Sequence, residues 1–82
     1  MSPRLKRMSG DEVIDVFREL GFEIAWQRGS HVKLLRMTDE GSRQTLTIPK
    51  HKELDAGTLQ AIVRQGARYV DKSVLRQHFY TV

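Results

Sequence analysis

Gly29, Ser30 and His31 stand together at the head of a run, through Arg36, that otherwise reads as a β-strand. Histidine exchanges a proton near neutral pH and is the first residue type to consider for general acid or base work. Arg28 precedes the triplet, and Lys33 lies two residues past His31, on the same side of an extended chain. On RNA such a set is enough for a metal-free reaction. A base takes the proton of a 2′-hydroxyl, the oxygen attacks the adjacent phosphorus, and nearby cations stabilise the developing charge. His31 is thus the candidate catalytic residue, with Arg28 and Lys33 as candidate phosphate-binding residues. On spacing alone, an ordinary surface histidine in a hairpin is the simpler reading.

A second basic group, Lys50-His51-Lys52, follows Pro49. Phosphate binding is the first role expected of Lys50 and His51, with acid catalysis by His51 ranked behind it. His78 reads as local capping or packing. The three histidines lack the close pairs that zinc sites use, so neither a metal nor another cofactor is expected. Ser30 suggests a nucleophile only superficially, because adjacent strand residues point to opposite faces. Gly29 and Ser30 are assigned as structural turn residues. Trp26 alternates in phase with Phe22 and Ile24 and is expected in the core, and nothing positions Tyr69 or Tyr80 as a platform for stacking bases.

The elements that must hold these residues are legible in outline. Ser9 and Glu12 form a capping box, with Met8 and Val13 as a hydrophobic staple. Val13, Val16, Phe17 and Leu20 make one stripe of a helix that Gly21 stops. The period then falls to two. Phe22 to Gln27 reads as a first strand, Arg28-Gly29 as a tight reversal, Ser30 to Met37 as a second strand and Gln44 to Ile48 as a third. Pro49 ends the third strand. Asp55 is the expected cap of a second helix carrying Leu59, Ile62 and Val63, which Gly66 ends or weakens. Asp71 caps a short last helix with Val74, Leu75 and Phe79. The expected architecture is α+β in the order α-β-β-β-α plus a C-terminal helix. Both main helices lie on one face of a three-stranded antiparallel sheet, leaving His31 and Lys33 on the wet face.

An 82-residue chain holds one small domain, which buries only about 60 to 65% of its unfolded surface. It has no cysteine, so disulfides and thiolate metal sites are excluded, and a reducing cytoplasm is the easiest setting. No stretch is apolar enough to span a bilayer, and the basic start has no apolar run after it, so neither a membrane role nor a secretory leader is expected. Fourteen Lys and Arg against ten Asp and Glu leave a net charge of +4, which suits a polyanion but equally a merely solvated surface.

The stretch from Ser9 to Arg36, with Leu20-Gly21-Phe22 and Gln27-Arg28-Gly29-Ser30-His31, together with Ile48-Pro49-Lys50-His51 and Gly57-Thr58-Leu59 with Ile62, resembles the HicA toxins. These are the mRNA interferases of HicAB toxin-antitoxin systems. The resemblance covers about residues 8 to 66. It implies a fold like the double-stranded RNA-binding domain, ribosome-independent RNA cleavage with the catalytic histidine at His31, and inhibition by a HicB-like antitoxin covering the active site. DNA contact is expected only indirectly, through the antitoxin complex. Residues 67–82 form an extension to which the resemblance gives no role: completing the core, touching the antitoxin and fraying are all open. The alternative class is a non-catalytic RNA-binding module on the same fold, and a third is a protein-interaction domain whose basic face meets an acidic partner.

Overall fold

Helix α1 (Gly10–Glu19) begins as its sequence dictates. In the computed structural model, which describes residues 2–81, the Ser9 hydroxyl accepts from the Glu12 amide at 3.0 Å, and the Glu12 carboxylate accepts from the Ser9 amide at 2.8 Å. Met8, Val13, Ile14 and Phe17 are buried, and Gly21 takes φ +98° to turn the chain out of the helix. Strands β2 (Glu23–Arg28), β3 (His31–Met37) and β4 (Arg43–Pro49) follow as an antiparallel meander with β3 in the centre. Helices α2 (Ala56–Gly66) and α3 (Lys72–Phe79) complete the expected order. Val32, Leu34, Leu46 and Ile48 form the inner face of the sheet and share one core with Val13, Phe17, Leu59 and Ile62 from the helices. The architecture is the α+β, α-β-β-β-α arrangement with a C-terminal helix.

Four local expectations need correction. The reversal lies at Gly29-Ser30 rather than Arg28-Gly29, so Arg28 still belongs to β2 and pairs with His31. Trp26 is not in the core: it is 48% exposed, as is Ile24. Trp26 points outward because of a β-bulge between Ile24 and Trp26, whereas Ile24 is exposed on the edge strand despite its inner phase. Ile24 pairs with Leu34 and Trp26 with Lys33, so Ala25 is the extra residue. One inserted residue reverses the two-residue alternation. Phe22 and Ile24 keep the inner phase, whereas Trp26 is turned to the outer one.

Asp55 occupies the N-cap position of α2, yet its side chain makes no cap hydrogen bond to the backbone. Instead the Thr58 hydroxyl donates to Asp55 Oδ1, and this bond holds the carboxyl below its ordinary range. The fourth correction is at the chain ends. Short strands β1 (Arg4–Leu5) and β5 (Tyr80–Thr81) pair antiparallel as a separate two-stranded sheet.

The segment beyond residue 66 completes the core. Leu75 and Phe79 are buried, and the Phe79 ring packs 5.6 Å from that of Phe17. Gly66 ends α2 where Phe17 crosses it, since a Cβ there would stand 3.0 Å from the Phe17 ring. Tyr69 and Tyr80 are half-buried against the core.

Arg36 ties these parts together. It lies in the inner phase of β3, and its guanidinium donates to Gln44 Oε1 at 2.7 Å, the Leu20 carbonyl at 2.7 Å and the Tyr69 carbonyl at 2.9 Å. Its planar head also lies 4.7 Å from the Phe22 ring centroid. The cation thereby meets the C-terminal end of α1, where carbonyls lack partners and the helix dipole favours positive charge.

Candidate functional site

The β2–β3 hairpin closes through two residues. Gly29 has φ +57° while Ser30 keeps a negative φ, the sign pattern of a type II′ turn, which takes glycine at its first central position. Nothing lies within 4 Å of where a Gly29 side chain would begin, so glycine is needed there for its backbone and not for space. The Gln27 side-chain amide donates to the Gly29 carbonyl at 3.0 Å, bracing the turn from within.

His31 is the first residue past this turn. It is exposed, with Arg28 paired to it on one side and Pro49 on the other. The outer face of the sheet therefore carries Arg28, His31 and Pro49 in its first row. Trp26, Lys33 and Thr47 form the second.

The Pro49-Lys50-His51 segment is held against this row from two directions. The Lys50 amide donates to the Ser30 carbonyl at 2.6 Å, tying the end of β4 to the hairpin turn. On the other side the Gly10 amide donates to the His51 carbonyl at 2.8 Å, and the Leu54 amide donates to that of Met8 at 2.9 Å. Gly10 fits because it has no side chain. A Cβ there would lie 2.1 Å from the Pro49 carbonyl oxygen and 2.7 Å from Lys50 Cα. Three segments distant in sequence, the start of α1, the hairpin turn and the end of β4, are thus locked together around His31.

Of the residues singled out by sequence, Arg28, His31 and Lys33 share the outer sheet face, and Lys50 joins them through the strand end. Lys50 Nζ lies 3.8 Å from Asp11 Oδ1, and both side chains are largely solvated. An exposed pair of this length contributes little energy and leaves Lys50 available to another anion. His51 is exposed in the loop before α2, and its positive form adds a small effect to the depressed Asp55 carboxyl. His78 is half-buried in the last turn of α3. Among the described residues, no three His, Asp or Glu side chains converge as a metal site.

A solvent-accessible imidazole flanked by an arginine and a lysine on an open sheet face can move a proton at a phosphodiester while the cations hold its oxygens. A concavity of about 630 Å³ between α2 and α3 is lined by other residues, including Val63, Arg64, Leu75 and Arg76.

Sequence reasoning missed three contributors. Gly10 carries no local signal, since its constraint comes from a segment some forty residues away. Arg36 was given no role, although its inner-phase position in β3 was the available clue. Trp26 was assigned to the wrong face because a bulge leaves no mark in the alternation.

Among known families, a model described as the HicA toxin of bacterial toxin-antitoxin systems fits residues 10–66 of the 82. The matched span runs from the clamped Gly10 to the Gly66 that packs on Phe17, and so includes the whole candidate site. No curated protein and no solved structure matches the chain.

Proposed function

The chain belongs to the HicA toxin family of bacterial toxin-antitoxin systems, and on that footing we propose that it is an endoribonuclease that cleaves mRNA, with His31 as its catalytic residue. The observation that carries this reading is the position of His31. It is the first residue past a glycine turn, exposed, and in one row with Arg28.

In the proposed reaction His31 accepts the proton of a ribose 2′-hydroxyl. The freed oxygen attacks the adjacent phosphorus, the bond to the 5′-oxygen breaks, and that oxygen takes a proton from water as it leaves, while the proton held by His31 returns to solvent. The products are a 2′,3′-cyclic phosphate and a 5′-hydroxyl end. Arg28, Lys33 and Lys50 hold the phosphate oxygens and stabilise the charge that builds on them. His51 adds to phosphate binding at the strand end. No cofactor takes part. The partner expected to silence the toxin is a HicB-like antitoxin that covers the His31 face.

The test compares wild type with His31→Ala on single-stranded RNA, with and without a chelator. The expected result is cleavage by wild type that the chelator leaves unchanged, cyclic-phosphate ends on the products, and loss of cleavage but not of RNA binding in the variant. Wild-type protein that binds RNA without ever cutting it would make the chain a binding module instead.

A further inference from the structure

Trp26 is the only tryptophan in the chain, and nothing in the reaction above uses it. Phe17, Phe22 and Phe79 are all fully buried, whereas Trp26 leaves 48% of its surface in water. In a domain with so small a core, leaving the largest apolar side chain outside gives up stability that burial would provide. Its outward direction has a definite structural origin. Without the extra residue Ala25, the alternation that buries Phe22 would carry Trp26 inward as well.

The bulge delivers the indole to a particular place. Trp26 and Lys33 form the row next to Arg28 and His31, so the backbone that carries the ring is two residues along the strand from the candidate catalytic row, about 6.5 Å away. That is the scale of one step between unstacked nucleotides. Lys33 Nζ lies over the ring at 5.9 Å from its centroid, at the outer limit of cation–π range, a loose contact that an incoming base can displace. Aromatic surface, two flanking cations and a proton-transfer group on one open face are the components of a single-stranded nucleic-acid platform. The cations hold the backbone and the ring accepts a base.

We propose that Trp26 is a stacking platform for an unpaired base next to the scissile phosphate, and that it directs the site to single-stranded RNA. The inference rests on the ribonuclease reading above. It excludes duplex RNA as the preferred substrate, because paired bases are stacked inside the helix and cannot lie on a protein ring. Arg28 and Lys33 favour an RNA strand over an apolar protein segment as the occupant of this face.

The test uses the emission of the sole tryptophan. His31→Ala protein, which leaves RNA intact, is titrated with a short single-stranded RNA, with the same RNA annealed to its complement, and with a strand carrying one abasic position moved along it. Quenching by the single strand, little by the duplex, and loss of quenching at one abasic position are expected. In otherwise wild-type protein, Trp26→Ala should raise KM for single-stranded RNA on the order of tenfold, with Trp26→Phe restoring most of it and both variants unfolding at urea midpoints close to wild type. RNA binding with unchanged emission, or a Trp26→Ala variant with wild-type KM, overturns the proposal and leaves the face to a protein partner. If wild type cleaves RNA and His31→Ala does not, the ribonuclease reading stands whatever the tryptophan reports. If wild type neither binds nor cleaves RNA, both readings fall together.

Discussion

At the scale of single residues, two glycines set the geometry around His31 by different physics. Gly29 is required for its positive φ, since an L side chain meets its own backbone there whatever the free space. Gly29→Ala should therefore cost about 1–2 kcal/mol in urea unfolding. RNA cleavage should fall by more than that loss of folded protein explains, because His31 is the next residue but one. Gly10 is required for space. Its missing Cβ would collide with the Pro49 carbonyl and the Lys50 backbone, neither of which can swing aside as a flexible side chain would. Gly10→Ala should cost about 2–3 kcal/mol by the same measurement. A Gly10→Ala protein as stable as wild type would show that α1 and the Pro49–His51 segment are free to separate. Gly29 was legible from sequence because turn chemistry is local. Gly10 was not, because close approach between distant backbones has no signature at either end.

The same division between local and distant signals holds for whole elements. The start of α1 was readable from Ser9 and Glu12, since both partners of the capping box lie within one turn. Strand β3 was readable because Val32 and Leu34 alternate without interruption. Strand β2 was placed to within one residue at each end but faced wrongly past Ala25, and β1 and β5 were invisible as two-residue strands at opposite ends of the chain that no period can reveal. The match of residues 10–66 ends before α3, yet α3 completes the fold by seating Leu75 and Phe79 under Phe17. Phe79→Ala should destabilise the protein by about 3–5 kcal/mol, enough to leave a domain of this size largely unfolded near 37 °C. Thermal unfolding by circular dichroism measures it, and a shift of only a degree or two would mean that α3 is an appendage. Arg36 joins elements by hydrogen bonds where α3 does so by packing. Arg36→Lys should not restore what Arg36→Ala loses, because an ammonium cannot reach Gln44, Leu20 and Tyr69 at once.

For the molecule as a whole, charge and shape divide the labour. On the ribonuclease reading, a net charge of +4 would draw an RNA strand toward the protein without saying where it lands. On the same reading the sheet directs the strand: its inner face packs on the helices, and its outer face is open along the rows that begin with Arg28, His31 and Pro49. Of the Lys and Arg residues among the candidate phosphate contacts, Arg28 and Lys33 project from paired strand positions, and Lys50 is tethered to the turn through the Ser30 carbonyl. If these three cations make the phosphate contacts, log-log plots of RNA affinity against salt should have a slope of about −2 for a single strand. Replacing any one of them with Gln should reduce the slope by about 0.7. Lys50 is a special case because Asp11 stands 3.8 Å from its ammonium. Asp11→Asn should strengthen binding at low salt and lose that advantage as salt screens the pair, whereas Trp26→Ala should weaken binding equally at every salt concentration. Filter binding of His31→Ala protein across a salt series measures all of these. A slope near zero would mean that the basic balance of the chain serves its solubility and not its substrate.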